Sequence, residues 1–239
     1  DLDMQVGIAT RVKEYIEQLP EQTSAAVLVV ENHSLKVKAY IGSANFLDPK
    51  RFGHIDMIKA TRSPGSTLKP FLYGIAIDQG IIHSASLLSD APLSFDGYQP
   101  RNFSKGFSGP VSVSHALQRS LNIPAVQVLQ QLTPEIFVSR LKNAGLQLNL
   151  APYVKSNLAI ILGGIGSNLE TLVGTYTALA NSGLAGKVRF LANSPIKRRY
   201  LLSAGSAWVI KHILSNPYTP SPQGLSWKTG TSYGHRDFW

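Results

Sequence analysis

The sequence predicts an α+β fold in one continuous domain. Three observations carry this: two short β-type runs near the start are separated by a tight turn, a long middle repeats its apolar residues at helical spacing, and a further strand-like run begins near the end. Residues 2–19 come first, with Ile8, Val12, Tyr15, Ile16 and Leu19 on one helical face and Pro20 closing the segment. Residues 25–31 and 35–41 follow as strands. The second alternates Leu35, Lys36, Val37, Lys38 and Ala39, one face buried and one wet, and Asn32-His33-Ser34 is the turn that makes the two a hairpin. A long loop then runs to Ser63-Pro64-Gly65, where a helix over 68–78 begins. Pro70 lies inside its first turn and predicts a distortion there.

Beyond that helix, Thr133-Pro134 is a cap with proline at the first helical position, and Gly145 is the matching stop. Ser167-Asn168-Leu169-Glu170 has the capping-box form and leads into Leu172, Val173, Tyr176 and Ala180, ended by Asn181-Ser182-Gly183. Ser203 caps a helix that runs to Leu214, before Asn216-Pro217 breaks the chain. Leu225-Ser226-Trp227 starts the last strand, expected to join the sheet of the first two.

Composition narrows the function. The 239 residues hold 23 Lys+Arg against 14 Asp+Glu, a net charge of +9, and no cysteine. Disulfide scaffolds, thiolate metal sites and cysteine nucleophiles are therefore excluded. Apolar residues at 44% exclude a disordered chain. No apolar run reaches the roughly 18 residues a membrane span needs, so the polypeptide as given is expected to be soluble. The basic residues are scattered, and the densest cluster, Lys197-Arg198-Arg199, reads as a solvated loop. The nine Tyr and nine Phe are not interleaved with basic clusters, so a nucleic-acid partner is not expected. The six histidines contain no pair at metal-ligand spacing, and no metal or other cofactor is expected. Gly163-Gly164-Ile165-Gly166 lacks the third glycine of a dinucleotide loop and is a tight turn.

Three small groups can carry chemistry. Ser66 and Lys69 are three residues apart where loop becomes helix, so they share a face. A serine hydroxyl becomes nucleophilic when a neighbour takes its proton, and a lysine can do so when burial or like charge keeps it neutral. A serine at a helix N-terminus also lies beside backbone N–H groups that stabilise an oxyanion. Taken alone, this pair is a serine cap and a surface lysine. Ser120 and Asn122 sit in a turn between two helical stretches, where the plain reading is a helix-end cap. Lys228, Thr229, Gly230 and Thr231 lie on the last strand. There the glycine permits close approach of a ligand's backbone, and the hydroxyls and lysine offer donors to a carboxylate. Each group is common by itself; the three in this order are not.

Together, Ser66-x-x-Lys69, Ser120-x-Asn122 and Lys228-Thr229-Gly230 resemble the three motifs of penicillin-binding proteins and serine β-lactamases. The longer stretches Arg62-Ser63-Pro64-Gly65-Ser66-Thr67-Leu68-Lys69-Pro70-Phe71 and Trp227-Lys228-Thr229-Gly230-Thr231-Ser232-Tyr233-Gly234-His235-Arg236-Asp237 resemble the transpeptidase domain of the class A penicillin-binding proteins. Leu87-Leu88-Ser89-Asp90-Ala91-Pro92 and Tyr98-Gln99-Pro100-Arg101-Asn102 resemble connecting segments of that group.

The resemblance implies a β-lactamase/transpeptidase-like fold, an antiparallel sheet flanked by helices plus a mainly helical subdomain. It implies a D,D-transpeptidase that cross-links peptidoglycan stem peptides ending in D-Ala-D-Ala and is acylated by β-lactams. Ser66 would be the nucleophile and Lys69 its base. Ser120 would relay a proton to the leaving group, with Lys228 lowering the pKa on that side. Asn122 would hold the substrate amide, Thr229 and Thr231 the terminal carboxylate, and the N–H groups of Ser66 and Thr231 would form the oxyanion hole. Residues 1–20 would be a helix or linker from a glycosyltransferase region, and residues 21–239 a transpeptidase domain incomplete at its C-terminus. Its sheet would then be completed by absent material, by a second copy, or not at all. The whole protein would be membrane-anchored at the periplasmic face of the inner membrane.

Two relatives of the mechanism compete. A serine β-lactamase of class A deacylates with a glutamate between the second and third motifs. That interval holds Glu135, read as a first-turn helix acid, and Glu170, read as the capping-box partner of Ser167. A D,D-carboxypeptidase shares the acylation site and uses water as acceptor. A non-catalytic basic binding module is the reading from another class.

Overall fold

The computed structural model describes residues 1–94, 99–103, 106–150, 156–215 and 225–239. Tyr98 and the Asn216-Pro217 break lie outside them. Helix α1 spans Leu2–Ile16 and starts on Asp1, whose carboxylate accepts the Met4 N–H at 3.2 Å. Strands β1 (Val27–Val30) and β2 (Val37–Ile41) pair antiparallel, Val27 opposite Ile41, with an irregular step between Val29 and Val30. The amide of Gln5 fastens α1 to β2. It donates to the Tyr40 carbonyl at 3.0 Å and accepts the Tyr40 N–H at 2.8 Å, doing for β2 what a neighbouring strand would do.

The centre of the molecule is α2 (Lys69–Asp78), of which every residue from Lys69 to Ala76 is buried. A 3₁₀ turn over Gly65–Leu68 leads into it. Pro70 is the reason: it has no N–H to give the Ser66 carbonyl, so the Lys69 N–H takes that carbonyl and the first turn tightens. Around α2 lie α3 (Val113–Gln118), α4 (Asn122–Leu132), α5 (Pro134–Asn143), α6 (Leu169–Ala180) and α7 (Ala204–Ser215), with Phe71, Leu117, Val126, Leu129 and Ile210 wholly buried between them. Two further hairpins pair β3 (Leu87–Asp90) with β4 (Gly109–Ser112), and β5 (Leu184–Gly186) with β6 (Arg198–Tyr200). Strand β3 is locked to α4 by Gln127, which accepts the Ser89 N–H and donates to the Ser89 carbonyl.

The structure departs from the sequence reading in four places. The described residues form three separate two-stranded antiparallel sheets, and the run from Leu225 does not join β1 and β2. It folds back on itself instead: Gly230 and Trp239 exchange both backbone hydrogen bonds at 3.2 and 2.9 Å, and Thr231 bridges Phe238. Lys197-Arg198-Arg199 is exposed as predicted, yet Arg198 and Arg199 belong to β6 rather than to a loop. The cap of α6 is Asn168, whose Oδ1 accepts the Thr171 N–H at 2.9 Å, not Ser167 with Glu170. Ser167 is buried and donates to the Gln147 carbonyl at 2.7 Å.

Candidate active site

The three sequence groups converge on the buried start of α2. Lys69 is fully buried, and its Nζ donates to the Ser120 carbonyl at 2.6 Å, the Leu121 carbonyl at 3.0 Å and the Asn122 Oδ1 at 2.7 Å. Three acceptors suit an ammonium. Burial works the other way, and the positive charge of Lys228 adds to it, so the Lys69 pKa lies well below the ordinary lysine value. Ser66, half-buried one turn earlier, is not among the Lys69 acceptors.

Ser120 occupies an uncommon backbone position. Helix α3 ends in a Schellman motif, the Leu121 N–H reaching the Ala116 carbonyl at 2.9 Å and the Ser120 N–H the Leu117 carbonyl at 3.1 Å. That motif places Ser120 in the left-handed region, φ 56°. Helix α5 ends the same way, and there the position is filled by glycine, Gly145 at φ 99°. Serine thus keeps a side chain at a position that glycine would fill with less strain. Its Oγ accepts from Lys228 Nζ at 2.8 Å, and the same ammonium donates to the Thr229 carbonyl at 2.8 Å. Burial lowers the Lys228 pKa to about 8.

Gly230 has a different use from the one its sequence position suggests. A Cβ there would lie 2.5 Å from the Pro64 carbonyl oxygen, and one on Gly65 would lie 2.4 Å from the Thr231 carbonyl oxygen. The glycines thus let two segments of the protein's own backbone touch, fixing Thr231 beside the residue that precedes Ser66. Gly65 itself has φ 52°. The Trp239 indole N–H donates to the Ser63 carbonyl at 2.8 Å, and Arg62 faces Asp237 at 3.7 Å, so both sides of this contact are tied down. Thr229 is exposed and Thr231 half-buried.

Sequence reasoning missed the groups that hold these residues from behind. The Asn122 N–H donates to Asn102 Oδ1 at 2.9 Å, and its side-chain Nδ2 donates to the Arg101 carbonyl at 2.7 Å. Asn102 in turn donates to the buried carboxylate of Asp90 at 2.6 Å. The available signal was in β3, whose buried face is Leu88 and Asp90: a charged residue where period-two alternation calls for an apolar one. Tyr176 donates its hydroxyl to the Thr67 carbonyl at 2.7 Å, bracing the 3₁₀ turn from α6.

Such an arrangement offers a hydroxyl at a buried helix start, a lysine held short of full basicity, and a second hydroxyl–lysine pair bonded to the same turn. These are the parts of an acyl-transfer site. Comparison with known proteins agrees. The family described as penicillin binding protein transpeptidase domain matches residues 25–234. Penicillin-binding protein 1C of Escherichia coli is 45% identical over 99% of this chain and 32% of its own length. Among solved structures, a peptidoglycan glycosyltransferase from Burkholderia ambifaria superposes with a TM-score of 0.82 at 20% identity, covering all of this chain and 82% of that one. PonA1 of Mycobacterium tuberculosis in complex with penicillin V gives 0.73 at 21% identity over 87% of this chain and 59% of that one. The chain spans about a third of the length of the Escherichia coli relative. It belongs to the penicillin-binding protein transpeptidase domain family.

Proposed function

We propose that this chain is the acyl-transfer module of a peptidoglycan D,D-transpeptidase, with Ser66 as nucleophile and β-lactams as covalent inhibitors. The observation that carries the reading is Lys69: buried, depressed in pKa, and hydrogen-bonded to the Ser120–Asn122 turn while Lys228 holds Ser120 Oγ. Ser66 Oγ attacks the carbonyl of the D-Ala-D-Ala bond as Lys69, in its neutral form, takes the proton. The N–H groups of Ser66 and Thr231 receive the oxyanion, since Thr231 lies against Gly65. Ser120 passes a proton to the leaving amine, and Lys228 resupplies it from 2.8 Å. Asn122 is the contact for the substrate amide and Thr229 and Thr231 are the contacts for the terminal carboxylate. Attack by an acceptor amine on the Ser66 ester completes the cross-link.

Among the described residues no helix is long and apolar enough to cross a membrane. The stem-peptide substrate belongs to the periplasmic face of the inner membrane, where the whole protein would work. Reaction with a fluorescent penicillin, followed by mass spectrometry of the labelled peptide, tests the reading. Label on Ser66 in the wild type and none in Ser66→Ala is the expected result. Undiminished label in Ser66→Ala would refute it.

A further inference from the structure

We propose that Asp90 and Asn102 are positioning residues for acyl transfer: a buried carboxylate–amide brace that fixes the orientation of the Ser120–Asn122 turn. The inference rests on the acyl-transfer reading of that turn. Its starting observation is a buried charge. Asp90 is fully buried at the end of β3, a costly place for a carboxylate, yet its two oxygens accept from Asn102 Nδ2 at 2.6 Å and from the Ser108 N–H at 2.8 Å.

The bonds run in one direction. Lys69 donates to Asn122 Oδ1, the Asn122 N–H donates to Asn102 Oδ1, and Asn102 Nδ2 donates to Asp90. A carboxylate accepts and never donates, so it decides which way the Asn102 amide faces. Asn102 is then obliged to present oxygen to the first N–H of α4. Its Nδ2 also donates to the Gly106 carbonyl at 3.0 Å, which reinforces the same orientation. Flipping the amide would set an NH₂ group against the Asn122 N–H and an oxygen against the carboxylate, and both contacts would repel.

A second tie runs parallel to the first. Ser108, whose N–H is held by Asp90, accepts at Oγ from Arg119 at 3.1 Å, one residue before Ser120. Asp90 thus reaches both flanks of the strained left-handed serine, through Ser108 and Arg119 on one side and through Asn102 and Asn122 on the other. The Gln127–Ser89 pair keeps β3 and α4 in step, so the brace has a rigid base. Without it, the turn that carries Ser120 Oγ and the Lys69 acceptors keeps its covalent path and loses its fixed orientation.

Exchange of the two groups provides the test. Asp90→Asn puts an NH₂ group where an acceptor is needed, and Asn102→Asp sets two carboxylates together. The double variant Asp90→Asn/Asn102→Asp restores an amide–carboxylate pair and still presents oxygen to the Asn122 N–H, while giving up the bond to the Gly106 carbonyl. The readouts are the second-order rate of fluorescent-penicillin acylation at Ser66, hydrogen exchange of the Asn122 amide, and thermal melting. Each single variant is expected to lose about tenfold or more in acylation rate and to exchange the Asn122 amide faster, and the double variant to recover part of both relative to either single variant. Where Asp90→Asn does not fold, Asn102→Ala supplies the single-variant measurement, since Asp90 keeps the Ser108 N–H. A wild-type acylation rate in folded single variants overturns the proposal. So does a double variant that melts like the wild type without regaining rate or amide protection. A wild type that takes no label at Ser66 refutes the acyl-transfer reading instead, and the brace then has no reaction to position.

Discussion

Lys69 Nζ lies 2.7 Å from the side-chain oxygen of Asn122, and with its bonds to the Ser120 and Leu121 carbonyls it ties the first motif to the second. The same nitrogen is held below ordinary basicity by burial and by the Lys228 charge. Arginine in its place would keep the charge and could not give up a proton at any working pH. Lys69→Arg should therefore lower Ser66 acylation about 100-fold or more, the scale of a lost general base. Stopped-flow measurement with a chromogenic β-lactam checks it, and a wild-type rate would make Lys69 structural.

Ser120 holds the left-handed position that glycine fills at the end of α5. Ser120→Gly removes that strain and should stabilise the fold by about 1 kcal/mol, the scale set by Cβ sterics in this region. It also removes the hydroxyl that Lys228 touches, so acylation should fall as melting temperature rises. Calorimetry and labelling on the same sample test both halves. A variant less stable than wild type would mean that the bond Lys228 loses outweighs the strain relieved.

Lys228 has a folded pKa of about 8 against a reference value of 10.5. Between those values the unfolded chain binds more protons than the folded one, so unfolding becomes harder as pH rises. Relative to Lys228→Met, wild-type stability should thus be lowest below about pH 8 and should climb toward pH 10.5. Lys69 contributes with the same sign, because the Met variant frees it of a like charge. Urea midpoints of both proteins across this range give the difference. A flat or falling difference would contradict the burial of Lys228.

A methyl group on Gly230 would meet the Pro64 carbonyl oxygen at 2.5 Å, and backbone cannot swing aside. Gly230→Ala should destabilise by about 2 kcal/mol, as overpacked sites do. It should also push Thr231 away from Gly65 and weaken acylation further than the stability loss explains. Denaturant melts and labelling rates, compared with a surface glycine such as Gly7, which has open space around it, make the test.

What the sequence discloses here is what short-range physics decides. Ser66 and Lys69 sit within one turn of each other, Pro70 announces its own distortion, and the Thr133 cap and Gly145 stop are read from single residues. The hairpin β3–β4 escapes notice because its strands are four residues each, one holding Asp90 on the buried face and the other Gly109 and Pro110. Strand β6, Arg-Arg-Tyr, has no aliphatic residue to alternate. The Asn168 cap was hidden by a better-looking serine one position earlier, which tertiary packing turned inward toward Gln147. The convergence of residues 69, 120 and 228 is long-range, and motif order rather than periodicity pointed to it.

The Gly65–Thr231 contact sets two kinds of support around the site. Where the first and third motifs meet, main chain presses on main chain with no side chain between them, so a displacement of either segment is passed directly to the other. The second motif is held instead through side chains, Lys69, Lys228 and the braced Asn102 amide. A single side-chain change can therefore release the second motif, whereas the first and third part only when main chain is displaced.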